Sequence, residues 1–231
     1  GAKPHLYAIC CHGYSGQPQD MAKYAHRFAR LGFTVLVPAL RGHGLSEGRY
    51  AGMGWLDRRD LMRWISLIID SDADARILLQ GKSMGAAAVM MTVGEPDLPR
   101  NVVAAVEDCG YASVGQQFID CARSMFHLPK FLAKPIVTTM GAIARRRAGY
   151  GFQEASCVEQ LKHATIPMLF IHGGADDFVP SRALDENFDA CASIDRQKLL
   201  IPSAGHSMSA STAPVVYWKT VTNFVTRVFG L

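Results

Sequence analysis

Short apolar runs alternate with longer amphipathic stretches along the chain, and this alternation predicts strand–helix–strand units around a mostly parallel sheet. Six runs read as strands: Leu6–Cys11, Phe33–Val37, Arg76–Gln80, Val102–Glu107, Met168–His172 and Gln197–Ile201. Their apolarity is nearly continuous rather than alternating, so both faces of the sheet are expected to be covered. The stretches between them have helical spacing. In Pro18–Leu31, Met21, Tyr24, Ala25, Phe28 and Leu31 recur at three and four, and Gly32 supplies the stop. Trp55–Ile69 repeats Leu56, Leu61, Trp64, Ile65 and Ile68, and Pro214–Phe229 repeats Val215, Trp218, Val221, Val225 and Phe229. Met84–Val93 is small and apolar all round, as a helix packed centrally would be. Ser181–Cys191 carries a helix start signal in Asp176, Asp177 and Pro180.

One region breaks the rhythm. Tyr111 to Leu161 separates the fourth run from the fifth by several times the usual connection. It holds helical candidates at Val114–Phe126 and Pro135–Arg147, punctuated by Pro129, Gly149 and Gly151. The expectation is one domain over 1–231 with residues 111–161 inserted as a helical cap or lid. A helical excursion that only covers the sheet is the alternative.

Composition supports a single large core. The chain has 231 residues, 49% hydrophobic and 19% charged, which excludes disordered and collagen-like classes. No apolar run approaches the roughly 18 residues a membrane span needs. A net charge of +4, gathered only at Arg145–Arg147, is less than a nucleic-acid-binding protein usually carries. That basic run could meet an anionic substrate or a lipid head group, or be a solvated helix face. Six cysteines (Cys10, Cys11, Cys109, Cys121, Cys157, Cys191) lack zinc-site spacing and disulfide density, so reduced, mostly buried thiols and a cytoplasmic protein are expected. The chain begins at Gly1 rather than Met, which is compatible with a signal or anchor removed upstream.

The chemistry concentrates at the ends of the predicted strands. Gly81-Lys82-Ser83-Met84-Gly85 fits G-x-S-x-G and sits between a strand and an apolar helix, the context that makes the motif meaningful. A tight turn there lifts the Ser83 hydroxyl above the sheet and aims the Met84 amide at a developing oxyanion. Downstream, Asp176 and Asp177 follow the fifth strand and His206 follows the sixth, in the order acid then histidine. His206 would take the proton of Ser83, with a carboxylate holding the imidazole. Asp176, Asp177 and Asp108 are all candidates for that carboxylate. His12-Gly13-Tyr14-Ser15-Gly16 ends the first strand and could offer the Tyr14 amide as a second oxyanion donor; His12 itself reads as structural.

With these segments, and with Arg41-Gly42-His43-Gly44-Leu45-Ser46, the chain resembles the α/β-hydrolase family over nearly its whole length. Within it, the chain is similar to compact bacterial members of the esterase, lysophospholipase-like and serine-aminopeptidase-like branch. The resemblance implies an α/β-hydrolase fold of about six mostly parallel strands flanked by helices, and chemistry without metal or cofactor. Its D-x-x-V-P pattern falls on Asp176 rather than Asp177. Members of the family begin with a strand hairpin ahead of the first loop, which this sequence lacks.

The leading expectation is therefore a serine carboxylesterase with the triad Ser83, His206 and Asp176, acting on a small-molecule ester. Phe118, Met125 and Phe126 are the expected acyl contacts. A peptidase with the same triad is the second reading; it would need a carboxylate for the substrate amine, from Glu107, Asp108 or Asp120. A non-catalytic binding protein is the third.

Overall fold

A computed structural model describes all 231 residues. Six strands, β1 (Leu6–Cys11), β2 (Thr34–Leu36), β3 (Arg76–Lys82), β4 (Val102–Asp108), β5 (Met168–Gly173) and β6 (Arg196–Ile201), form one parallel sheet in the order β2-β1-β3-β4-β5-β6. The expected runs are all present, with ends shifted by one or two residues.

Alternate side chains of the same strand feed two separate cores, which is why the strand sequences are apolar throughout. Ile9, Ile77, Leu79, Met168 and Phe170 face one layer, built by α2 (Asp57–Ser71), α3 (Met84–Val93) and α7 (Arg182–Ala190). Ala8, Leu78, Val106, Leu169 and Ile171 face the other, where α1 (Ala22–Arg30) and the C-terminal helix pack. Every residue of α3 is buried, so its lack of a polar face is satisfied by position.

Between β4 and β5 the chain leaves the sheet through a pinned neck. Ser113 and Ser156 bridge antiparallel, Val114 N–H donates to Ala155 C=O, and Cys157 N–H donates to Ala112 C=O. The excursion carries α4 (Val114–Phe126) and α5 (Lys130–Ala148), and α6 (Cys157–Leu161) returns it to the core layer beneath α3. The second helix starts at Lys130, not Pro135, and Pro135 sits inside it on an exposed side, where the backbone hydrogen bond it removes costs least. The short α6, capped by Ser156 accepting from Glu159 N–H, is too brief to show a period. So is α8 (Ser209–Thr212), which precedes α9 (Pro214–Phe229). The helix expected from Trp55 starts at Asp57, whose buried carboxylate accepts the Gly54 amide.

Candidate functional site

Ser83 occupies the β3–α3 turn at φ 55° and ψ −118°, outside helix and strand alike. Such strain persists only where the surroundings over-determine it. Here Ser83 N–H donates to Asp108 C=O at 2.8 Å, and Ala87 N–H donates to Ser83 C=O. The flanking glycines are required by close approach. A Cβ on Gly81 would overlap the Gly85 carbonyl, and one on Gly85 would overlap the carbonyls of Cys11 and His12.

The loops after β5 and β6 lie against each other. Gly174 N–H donates to Ile201 C=O and Ala175 N–H to Ala204 C=O, and a side chain on Gly173 would overlap Ala204. This contact brings two parts of the sequence to Ser83. The Ser83 hydroxyl donates to His206 Nε2 at 2.9 Å, and His206 Nδ1–H donates to Asp176 Oδ2 at 2.7 Å. Asp176 Oδ1 accepts the amides of Phe178 and Val179 at 3.0 and 2.8 Å. Burial alone would raise the Asp176 carboxyl; hydrogen bonds from His172 and His206 outweigh it and hold the group well below the ordinary carboxylate range. An ionised carboxylate, an oriented imidazole and a hydroxyl in line can deprotonate that hydroxyl as it attacks.

The rival carboxylates point elsewhere. Asp177 is exposed. Asp108 is buried with its Oδ2 accepting from Tyr217 and Tyr24 hydroxyls at 2.9 and 3.3 Å. Asp120 pairs with Arg182. Glu107 is buried, accepts the Gly110 amide, and is pushed up to about 8 by burial.

The β1 loop runs across the serine. A Cβ on Gly13 would lie 3.3 Å from Ser83 Cβ, and the amides of Tyr14 and Met84 have no acceptor in the protein. His12 is structural: Nδ1–H donates to Gly13 C=O, Nε2 accepts from Leu40 N–H, and burial lowers its pKa. His43 fixes the loop from outside, donating from Nδ1 to Arg41 C=O and accepting Ser15 N–H at Nε2. The Arg41–Ser46 motif flagged this segment in sequence, but not its contact with Ser15.

A cavity of about 450 Å³ opens on Ser83. Phe118 lines it, stacked on Phe152 at 4.7 Å. Met125 and Phe126 do not; they stand 63% and 70% exposed at the outer end of α4, because the helix has by then turned away from the cavity. Tyr111 and Tyr150 were not foreseen as walls. Their hydroxyls donate to Met53 and Ala51 carbonyls and hold that segment in place. Arg147 is the one charged residue on the lining. A larger hollow of about 710 Å³, near Gly94 and Ile166, lies at the strands' opposite ends and holds none of these groups.

All six cysteines are free, and Cys121 alone is not fully buried. Cys109 Sγ approaches Ser207 Oγ at 3.4 Å, and its sulfur, His206 and Asp176 offer donor atoms within 4.8 Å of one another. These are the chain's one such cluster, and the imidazole and carboxylate are already bonded to each other. No helix is long and apolar enough to cross a membrane.

Comparison with known proteins agrees with this architecture. The family described as "Serine aminopeptidase, S33" matches residues 2–144. An uncharacterized protein of Bacillus subtilis, YqkD, is 26% identical over 218 residues, covering 94% of this chain and 70% of the relative. An uncharacterized protein of Mycobacterium tuberculosis is 28% identical over 201 residues; the alignment takes in 86% of this chain and 62% of that protein's length. Among solved structures, the Pyrococcus furiosus esterase Pf2001 superposes with a TM-score of 0.77 at 19% identity, over 97% of this chain and 83% of its own.

Proposed function

The chain belongs to the serine aminopeptidase (S33) family of α/β hydrolases, and from that premise we propose that it is a serine hydrolase cleaving carboxylic esters through an acyl-enzyme on Ser83. The observation that carries the reading is the hydrogen-bonded series Ser83–His206–Asp176 at 2.9 and 2.7 Å. In the proposed mechanism His206 accepts the Ser83 proton as the oxygen attacks the ester carbonyl, then donates it to the leaving alcohol. Asp176 holds the tautomer and stabilises the imidazolium. The unpaired amides of Tyr14 and Met84 receive the oxyanion. Water then attacks the acyl-enzyme by the same steps in reverse. Residues 111–161 serve as a cap on a single domain, with α4 and α5 walling the acyl cavity and Phe118 meeting the acyl chain.

The cavity lining favours an ester over an aminopeptide. An amino-terminal substrate needs an anion beside the scissile bond, yet no carboxylate lines the cavity and its one charge is the cation Arg147. Glu107, Asp108 and Asp120 are committed to Gly110, two tyrosines and Arg182. An apolar acyl group of medium length suits the space.

The test has two arms. A fluorophosphonate should label the protein and fail to label Ser83→Ala. p-Nitrophenyl butyrate should turn over far faster than aminoacyl p-nitroanilides. A folded protein that never labels would sink the catalytic reading, and faster anilide turnover would sink the ester.

A further inference from the structure

The outward face of α5 has no partner in the fold, and two independent properties of it agree on what would cover it. The first is apolar exposure. Ala133, Val137 and Gly141 pack inward, and one step round the helix Leu132, Ile136, Met140 and Ile143 form a stripe that stays in solvent. Phe131, 75% exposed, and Phe126 stand in solvent at the α4–α5 corner, on the neighbouring side of the helix. Seven of the chain's eighteen exposed large apolar side chains fall between Met125 and Ile143, so this is a patch rather than scatter.

The second property is charge. From Cys121 to Gln153 there is no Asp or Glu, while Arg123, Lys130, Lys134 and Arg145–Arg147 supply six cations. The other eighteen lysines and arginines are set against twenty acidic residues, so the rest of the chain is net negative and the molecule's positive charge resides here. Of the six, Arg145 has a carboxylate within 4 Å, that of Glu154, and Arg123 and Lys130 share a hollow with Asp120 and Glu186, which leaves Lys134, Arg146 and Arg147 away from any carboxylate.

We propose that the α4–α5 surface docks on an anionic lipid bilayer, with the Phe131–Ile136 region entering the interface and the flanking cations meeting the head groups. A second copy of the chain is disfavoured as the occupant, since two such faces carry the same charge. Met140 and Ile143 belong both to this stripe and to the cavity that opens on Ser83, with Arg147 beside them, so a docked molecule presents the cavity mouth to lipid. The docking itself does not depend on the proposed ester chemistry.

The test is co-sedimentation of the full chain with vesicles of phosphatidylcholine, with and without about one third phosphatidylglycerol. Anionic vesicles should bind at least tenfold more tightly, and the gain should fall in 0.5 M salt. Two variants should each lose tenfold or more: Phe131→Ser with Ile136→Ser, and Lys130→Gln with Lys134→Gln and Arg146→Gln. Both should hydrolyse a soluble short-chain ester within about twofold of the parent, and Ser83→Ala should bind vesicles unchanged, which separates docking from catalysis. Circular dichroism confirms folding, and the charge variant decides if the apolar one fails to fold. Absence of vesicle binding, equal binding to both vesicle types, or undiminished binding by the variants would overturn the proposal. So would a dimer in sedimentation velocity that Phe131→Ser with Ile136→Ser disperses.

Discussion

His172 Nε2 donates to the Val179 carbonyl at 3.0 Å and stands 3.4 Å from the Asp176 oxygen that accepts His206 at 2.7 Å, so one carboxylate lies beside two imidazoles while its second oxygen takes two backbone amides. The carboxylate is over-determined in position and stays ionised. Asp176→Asn would remove the acceptor that selects the His206 tautomer, and kcat on an ester should fall by roughly 10⁴ with little change in KM. Asp177→Asn, on an exposed side chain, should stay within about twofold. Steady-state kinetics on both variants checks the assignment; equal losses would refute it.

Glu107 makes folding stability depend on pH in an unusual direction. Burial pushes its carboxyl up to about 8, so between the ordinary glutamate range and about pH 8 the folded protein holds a proton that the unfolded chain has released. Stability contributed by this group is therefore full at low pH and declines as pH rises through that window. Asp176, held low, acts oppositely: its contribution is present above the ordinary carboxylate range and is lost as pH falls below it. Burial also raises Asp57, to about 6, and Asp108, so melting temperatures of the parent and Glu107→Gln from pH 5 to 8.5 should both fall, the variant by less and chiefly in the part of the window nearest pH 8. Parallel curves would refute the buried-proton account.

The glycines around Ser83 separate close approach from mere flexibility. Gly85→Ala sets a methyl against the carbonyls of Cys11 and His12, which are backbone and cannot swing aside. A loss of about 2 kcal/mol or more is expected, lowering Tm by roughly 5 °C or more. Gly205→Ala has its nearest neighbour at 3.9 Å and should leave Tm within about 2 °C. Thermal melts of the two variants make the comparison.

What could be read from sequence follows from how local each determinant is. Ser83 and its glycines form one turn, and β3 and α3 on either side have patterns that stand alone. Asp176 and His206 follow strand ends, which a parallel sheet gathers at one edge. The sequence left Asp108 open because its occupants, Tyr24 and Tyr217, are 84 and 109 residues away. Met125 and Phe126 looked like acyl contacts because hydrophobicity alone does not say which way a helix end faces. The start of α5 at Lys130 is hidden because a proline inside a helix is tolerated only where packing leaves its side exposed, and the pattern around Pro135 does not say which side that is.

Phe118 and Met125 lie on the same helix and separate those two possibilities by experiment. Phe118 stacks on Phe152 in the cavity wall, and Met125 is exposed. Phe118→Ala should raise KM for a p-nitrophenyl hexanoate about tenfold while leaving the acetate within about twofold, since lost apolar contact matters only for a chain long enough to reach it. Met125→Ala should alter neither. Equal effects on acetate and hexanoate would place Phe118 outside the acyl path.

His43 acts on the loop over Ser83 without touching the serine. Its Nε2 accepts Ser15 N–H at 3.1 Å, its Nδ1–H is tied to Arg41 C=O, and its ring meets those of His12 and Tyr14 edge-on at 5.1 and 6.0 Å. Ser15 is itself at φ 53°, a conformation that needs such support. Without the imidazole the Tyr14 amide would lose its fixed aim, and a displaced oxyanion donor weakens the transition state more than substrate binding. His43→Ala should lower kcat by roughly 10- to 100-fold, with KM changed less than about threefold. His43→Gln, which can still accept the Ser15 amide, should recover part of the loss; a fall confined to KM would assign His43 to substrate binding instead.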